Sequence, residues 1–324
     1  MARRSEGSDD ARHRGIVTRT LGDALARRPL LFEPVPPTAR STPERAAAHR
    51  QELVRRLAPV DRLDAFDVPE LVDENHDGRP YYRSGDTRPF ARALSEDLRR
   101  PVLVNKVVAH LPSAAALQRW TEETLAQRLL GQVFVGGSSR YIPYPGPTVL
   151  EADRLCGPLL ASAGGVLGNI AIPQRVGEAH RMLAKTRAGA AFFTTQIVFD
   201  GELVLKLLRE YDGLCRQSGL APSSVLISLA PIADEGDTEF VRWLGADIPE
   251  SAERAILNGG DAEASARSVR HALGVWTAVR DGAKRLALEI PVGVNVEQVT
   301  QRHLGAAVEM LQAIADEIDG GAPD

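Results

Sequence analysis

Residues 189–200 read Gly-Ala-Ala-Phe-Phe-Thr-Thr-Gln-Ile-Val-Phe-Asp and are the most informative stretch of the chain. An apolar, strand-like run is interrupted by Thr194, Thr195 and Gln196 and ends on Asp200, before a helical pattern. Polar side chains that point into a closed barrel cost free energy unless a partner or a ligand satisfies them. The stretch therefore predicts a strand with a ligand-facing amide at Gln196, although barrel backbone groups could also satisfy that amide. Asp200 is predicted to cap the helix that follows.

The same strand-to-helix unit recurs along the chain. Eight strands are predicted, at residues 30–35, 63–68, 101–109, 132–135, 166–172, 191–199, 224–229 and 285–290. A helical pattern follows each of them, the last at residues 296–318. Eight such units favour an α/β fold, a single-domain (β/α)8 TIM barrel over residues 29–320, preceded by a flexible N-terminal tail over residues 1–28. The first strand is not followed by a Gly-x-Gly-x-x-Gly motif, which disfavours an open dinucleotide-binding sheet.

Composition argues against several classes of protein. The chain has 324 residues and a formal net charge of −4, so no overall basic field favours nucleic acid as a partner. Cys156 and Cys215 form no paired motif, so neither a zinc site nor a disulfide framework is indicated. No apolar run approaches the roughly 20 residues that cross a bilayer, and the N-terminus lacks the apolar segment of a secretory signal. We therefore expect a cytoplasmic protein with no metal site and no membrane association.

Active sites of such barrels lie at the C-terminal ends of the strands. The residues predicted at these ends are Glu33, Asp67, Glu70, Asn105, His110, Gly136 to Ser139, Asn169, Gln196, Asp200, Pro231 and Glu289. Glu33 is distinctive because it ends an apolar strand and is followed by three prolines within four positions. Burial of a carboxyl group there would raise its pKa and make it a candidate general acid. The alternative is a surface glutamate at the end of an edge strand.

The turn after the fourth strand has a composition that suits ligand binding. Its residues, Gly136 to Ser139, offer backbone N–H groups and hydroxyls that can hold a phosphate or an amide, although glycine pairs are also common in ordinary turns. Tyr141 and Tyr144 follow, and they could stack on a planar ligand or simply cover the barrel mouth. Taken alone, His110 is typical of a packed or capping residue and Lys185 of a solvated helix charge.

Two motifs resemble those of methylenetetrahydrofolate reductases, which are (β/α)8 barrel enzymes. Residues 32–37, Phe-Glu-Pro-Val-Pro-Pro, are similar to that family's first-strand motif Phe-Glu-x-x-Pro-Pro. Residues 185–200 are similar to its Lys-x-x-x-Ala-Gly-Ala, followed by Thr-Gln and Phe-Asp. His110-Leu111, Ile248-Pro249 and the order of elements add weaker support. The resemblance covers about residues 28–318.

The resemblance implies reduction of 5,10-methylenetetrahydrofolate to 5-methyltetrahydrofolate, with NADH or NADPH as reductant and a role in methionine biosynthesis. It implies that Glu33 is the catalytic acid, that Gln196 and Thr195 contact the small-molecule folate substrate, and that Lys185 contacts a flavin. The cofactor side is expected to be formed by His110, Gly136, Gly137, Ser138, Asn169 and Lys185.

FAD is left open, because the family's Arg-Gly-Asp after strand four is replaced by Gly136-Gly137-Ser138-Ser139 and its Tyr-Pro-Glu and His-Pro-Glu elements are absent after strand five. Direct hydride transfer from the nicotinamide to the folate would then be the chemistry. The alternative is a folate-binding or methyl-transfer accessory protein on the same barrel, without reductase activity. A weaker third possibility is a barrel subunit that serves in assembly.

Overall fold

A computed structural model of the chain describes residues 21–139, 141–260 and 263–320. Most of the expected N-terminal tail lies outside these residues. Eight parallel strands close into a barrel in the order β1-β10-β9-β8-β7-β6-β5-β2. They are β1 (Leu30–Glu33), β2 (Ala65–Val68), β5 (Val102–Val107), β6 (Gly131–Val135), β7 (Val166–Ala171), β8 (Phe192–Ile197), β9 (Ser224–Leu229) and β10 (Val292–Glu297). The prediction of a (β/α)8 barrel is therefore confirmed.

Helices surround the barrel, and one antiparallel hairpin projects from it. The helices are α1 (Leu21–Leu25), α2 (Pro43–Leu57), α3 (Arg88–Leu98), α4 (Ala114–Ala126), α5 (Val149–Ser162), α6 (Glu178–Arg187), α7 (Gly201–Gln217), α8 (Glu235–Trp243), α9 (Glu250–Leu257), α10 (Ala264–Arg285) and α11 (Leu304–Gly320). The hairpin pairs β3 (Val72–Glu74) with β4 (Pro80–Tyr82), inside a segment that the sequence predicts as a loop. Asp200 caps α7 as predicted, accepting a hydrogen bond from the Glu202 N–H. Within the described residues, no helix is long and apolar enough to cross a membrane.

The predicted eighth strand at residues 285–290 is wrong. Helix α10 continues to Arg285, and Ala287, with φ of 48°, ends the turn that follows it. Pro291 then precedes the true strand, β10, at Val292–Glu297, and the last helix begins at Leu304 and not at residue 296. The segment 285–290 is a short, mostly apolar run, Arg-Leu-Ala-Leu-Glu-Ile, and such a run is compatible with a strand as well as a helix end. Glu289 therefore does not lie at the end of a barrel strand, and Glu297 does.

The inner wall of the barrel changes character along its axis. Its lower part is an apolar cluster in which Leu31, Leu103, Phe192 and Leu226 pack together. Helix α1 closes this end. Leu25 of α1 joins the cluster, and the Leu25 carbonyl accepts a hydrogen bond of 2.6 Å from the Ser224 hydroxyl. A larger apolar layer fills the space between the strands and the surrounding helices. Function is therefore to be sought in the upper part of the barrel.

Candidate functional site at the mouth of the barrel

Strand periodicity places a polar layer above the apolar one. Successive strand residues face opposite sides of a sheet, so the residue two positions beyond an inward-facing one also faces inward. Val294 and Val296 pack against the outer helices, which turns the alternate residues of β10 toward the barrel axis. The inward-facing residues at the C-terminal strand ends are accordingly Glu33, Asp67, Asn105, Thr194, Ser228, Asn295 and Glu297.

Glu33 and Glu297 form a side-by-side pair of carboxyl groups. The parallel pairing of β1 with β10 sets these two residues directly opposite each other. The Asn295 amide donates a hydrogen bond of 3.0 Å to Glu33 Oε2. Burial raises the pKa of Glu33 to about 7, and the Asn295 hydrogen bond offsets only part of that rise. Burial and the neighbouring Glu33 carboxyl raise the pKa of Glu297 well above its usual range, while the Ser228 hydroxyl lowers it in part.

Asp67 is the third carboxyl of this group and is completely buried. Burial, and then the proximity of Glu33, raise its pKa well above the usual range. The Asn105 side chain is close enough to lower that pKa in part, but neither oxygen of Asp67 has a hydrogen-bond partner of ordinary geometry. Within the described residues, no Lys, Arg or His forms an ion pair with any of the three carboxyl groups. Three adjacent carboxyl groups without a cation, one completely buried and two mostly buried, cannot all be ionised near neutral pH, so the group retains protons.

Other polar atoms of the layer also lack partners. Asn105 Oδ1, Thr194 Oγ1 and Asn295 Oδ1 are buried and have no hydrogen-bond partner in the structure. Buried polar atoms are normally satisfied by protein, water or ligand. We define the acid cluster as Glu33, Asp67 and Glu297, and its surroundings therefore suit a ligand rich in N–H donors. The sequence analysis places Asp67 and Asn105 at strand ends but assigns them no function. Asn295 and Glu297 are absent from it because the predicted eighth strand is in the wrong place.

Gln196 and Thr195 have different surroundings from those expected. Gln196 lies at the same end of the barrel as Glu33, but its amide donates 2.9 Å to the Leu244 carbonyl and its oxygen accepts from the Ile197 N–H. The pairing of β8 with β9 shifts between Thr194 and Ile197, and the Thr195 hydroxyl accepts the Ser228 N–H at 2.9 Å across that irregularity. The inward-facing hydroxyl of the pair belongs to Thr194. The amide that contacts Glu33 comes from Asn295.

A second polar group lies at the corner of β5 and β6, and its centre is Glu74 on the hairpin. We define the Glu74 cluster as Glu74, His110, Ser138 and Tyr144. Glu74 accepts hydrogen bonds from the Tyr144 hydroxyl at 2.6 Å and from the hydroxyl and N–H of Ser138 at 2.5 and 3.2 Å, and His110 Nε2 lies 2.8 Å from it. Burial acts to raise the pKa of Glu74, but the bonds from Ser138, Tyr144 and His110 together hold it below the usual value. The nearby Lys106 is paired with Glu70.

The glycine turn is packed against this cluster. A Cβ atom on Gly137 would overlap the Tyr144 ring, whereas one on Gly136 would meet only Val149, at 3.4 Å. Tyr144 also accepts the Ser139 N–H at 3.1 Å. The turn therefore packs against Tyr144, a side chain of the same loop, and Tyr144 covers this part of the mouth.

Asn169 and Lys185 lie on the outside of the barrel. The Asn169 amide donates 3.0 Å to Asp153 of α5, and Lys185 donates 3.0 Å to the Ile170 carbonyl. Burial raises the pKa of Asp153 to about 6, although Asn169 and Lys185 act to lower it. These two residues are thus separated by the barrel wall from the acid cluster.

The six residues expected to hold a cofactor do not form an open cradle. His110 and Ser138 are engaged by Glu74, Tyr144 fills the space over Gly137, and Asn169 and Lys185 bind protein groups outside the barrel. In this arrangement they do not fit a flavin or a nicotinamide, and we derive no step through either group. Their cofactor roles stay predictions from the sequence.

The rim of the mouth carries aromatic and basic side chains. Tyr81 and Trp243 are 57% and 59% exposed, which is unusual for large aromatic residues. The Arg83 guanidinium lies 5.9 Å from the centre of the Trp243 ring. Arg83 follows the hairpin after β2, and Trp243 ends α8 after β9. Because β1 and β10 lie between β2 and β9 in the barrel order, this contact spans the mouth beside Glu33 and Glu297.

A cavity of about 520 Å³ lies at the opposite, N-terminal end of the barrel, lined by residues such as Leu21, Pro101 and Gly131. It contains none of the inward-facing polar residues of the mouth. Barrel enzymes place their chemistry at the C-terminal end, so this cavity does not define the candidate site.

Comparison with known proteins shows the fold. A protein from Clostridium thermocellum that binds two copies of 5-methyl-5,6,7,8-tetrahydrofolic acid superposes with a TM-score of 0.72, at 20% identity, covering 90% of this chain and 96% of that one. The spore cortex-lytic enzyme SleL of Bacillus megaterium superposes with a TM-score of 0.46, at 12% identity, covering 88% of this chain and 74% of that one. No protein-family model and no curated protein matches the sequence.

Proposed function

We propose that this protein binds a reduced folate at the mouth of its barrel, with the pterin ring against the acid cluster. The observation that carries the proposal is the group of three adjacent carboxyls that no described cation neutralises, surrounded by buried amide and hydroxyl oxygens without partners. The pyrimidine edge of a pterin carries a ring N–H beside an amino group, and a carboxylate can accept both hydrogen bonds. The folate ligand of the Clostridium thermocellum protein supports the same class of ligand.

The test is direct binding of 5-methyltetrahydrofolate by titration calorimetry. We expect saturable binding that Glu33→Gln weakens by about 10- to 100-fold, which corresponds to the loss of one charge-assisted hydrogen bond. The matched control is Glu309→Gln, because Glu309 is exposed on α11, away from the mouth. Absence of binding, or equal affinity of the Glu33 variant, would contradict the proposal.

One observation favours a second candidate, reduction of methylenetetrahydrofolate. A pKa of about 7 allows Glu33 to hold a proton at neutral pH, and opening of the methylene bridge requires a proton at nitrogen. Glu33 would then bind the folate and supply that proton. The two candidates are separated by mixing the protein, NADH or NADPH, and methylenetetrahydrofolate: consumption of the nicotinamide supports the reductase, and folate binding without consumption supports the accessory protein.

A further inference from the structure

We infer that Glu297 is a second folate-binding carboxyl and that it works with Glu33 as a pair which gives up a proton when the pterin binds. This inference rests on the proposed function and names the chemistry of the same site. It assigns a ligand-contacting role to a residue that the sequence resemblance does not single out. It also predicts a thermodynamic property, proton release, that ordinary folate binding need not have.

The geometry of the pair is the first step. Direct register between β1 and β10 holds the two glutamates side by side, and both project toward the mouth. Both remain partly exposed, while Asp67 beneath them is completely buried. A ligand entering the mouth therefore reaches Glu33 and Glu297 and not Asp67.

The charges around the pair are the second step. Asp67 is the titratable group that faces it from β2, and its charge would only add to the repulsion. Other charged side chains of the surrounding loops have partners of their own: Lys106 with Glu70, His110 with Glu74, Arg83 with Asp73, both Arg302 and His303 with Asp237, and Arg40 with the Tyr81 hydroxyl. Glu33 accepts its hydrogen bond from the Asn295 amide, which is neutral. The free pair is therefore stable only when it holds at least one proton.

The ligand's donor pattern is the third step. A protonated carboxyl donates one hydrogen bond and loses part of its accepting capacity, whereas the pterin edge presents two adjacent donors. A carboxylate matches that edge, so binding favours the ionised form. The O–H bond of the acid breaks and its proton passes to the buffer, and no electron transfer is involved.

Calorimetry of the intact protein with 5-methyltetrahydrofolate tests the inference. Titrations in two buffers of different ionisation enthalpy give the number of protons released, at about pH 6 and about pH 8, on either side of the pKa of about 7. We expect release of about one proton at the lower pH and little at the higher, with affinity rising by up to about tenfold per pH unit in between. A tetrahydropterin fragment without the folate tail should release the same number, because it carries the same edge.

Glu297→Gln keeps the size of the side chain and removes its titration. We expect this variant to bind about tenfold more weakly at the higher pH and to release fewer protons at the lower one, with Glu309→Gln unchanged. A Glu297 that does not contact the ligand would leave the affinity at the higher pH unchanged, as in Glu309→Gln. Folate binding without proton release, or an unaltered count in Glu297→Gln, overturns this inference while the proposed function stands. No folate binding by the unmodified protein overturns both.

Discussion

At the corner of β5 and β6, the Glu74 carboxylate accepts hydrogen bonds from Ser138 and Tyr144 and pairs with His110, whereas at the β1–β10 corner Glu33 receives one bond from Asn295 and Asp67 receives none. Both regions bury carboxyl groups at the same end of one barrel. Only the first surrounds its carboxylate with enough donors to keep it ionised, and its pKa is accordingly low.

The difference indicates which corner is built for stability and which for a ligand. A buried charge that the protein itself satisfies holds the hairpin and the strand-four loop together. A buried acid that the protein leaves without donors destabilises the fold and is retained where a ligand supplies what is missing. The comparison can be tested from both sides.

The largest effect is expected from Glu74→Ala. Removal of this carboxylate leaves the buried His110 and the half-buried Tyr144 without their shared acceptor, so the free energy of unfolding should fall by about 3 kcal/mol or more. Folate affinity should change less than about twofold. Chemical denaturation measures the first quantity and calorimetry the second. A large loss of affinity with unchanged stability would reverse the roles given to the two corners.

Because the acid cluster destabilises the fold when it is ionised, the free energy of unfolding should depend on pH. Glu33 keeps its proton in the folded protein up to a pKa of about 7, while the unfolded chain loses it near 4.5, so stability should fall as pH rises between those values. Glu33→Gln removes this contribution. Relative to the unmodified protein, the variant should gain on the order of 3 kcal/mol between about pH 4.5 and about pH 8. Parallel stability curves for the two proteins across this range would contradict the buried-acid account.

The glycine turn offers a matched pair of substitutions. Gly137→Ala places a methyl group against the Tyr144 ring, and we expect a loss of about 2 kcal/mol in the free energy of unfolding. Gly136→Ala meets only Val149 at van der Waals distance and should lose less than about 0.5 kcal/mol. Thermal unfolding of both variants decides the matter. Equal losses would mean that the packing of Tyr144 does not distinguish the two positions.

The smallest effect is expected at the rim. Trp243→Ala removes the cation–π contact with Arg83, which is worth about 0.5–1 kcal/mol at an exposed site. Folate should then dissociate about two- to fivefold faster in stopped-flow measurements. Trp120→Ala is unsuitable as a control because that ring packs in the structure, so Leu286→Ala at an exposed position serves instead. An unchanged dissociation rate would show that the contact between Arg83 and Trp243 does not slow folate release.

Much of the barrel was predictable from local pattern, but the site was only partly so. Strand β8 was found because its apolar run has high strand propensity, and Glu33 because a charge ended such a run. Strand β10 was missed because Gly293 and Asn295 lower its propensity, while the helix end before it contains a short apolar run that is equally compatible with a strand. That error hid Glu297, whose importance depends on a register that no local pattern encodes.

The same limit explains the misplaced partners. The sequence predicts a ligand-facing amide at Gln196, but a shift in the pairing of β8 with β9 and the loop at Leu244 determine where that amide points. Glu74 could not be assigned from sequence, because its partners come from two other loops, those that follow β5 and β6. Residues in sequence-distant contacts are fixed by tertiary packing, and single-sequence patterns carry little information about them.

The hairpin of β3 and β4 is hydrogen-bonded within itself and is not part of the barrel wall. Glu74, on its first strand, anchors it to the strand-four loop, and Arg83, just after its second strand, reaches Trp243 on the far side. The hairpin is therefore hydrogen-bonded to the strand-four loop through Glu74 and contacts Trp243 through Arg83. Loosening the anchor should widen the opening, so a substitution at Glu74 would be felt in how quickly ligand exchanges even if its equilibrium affinity is preserved.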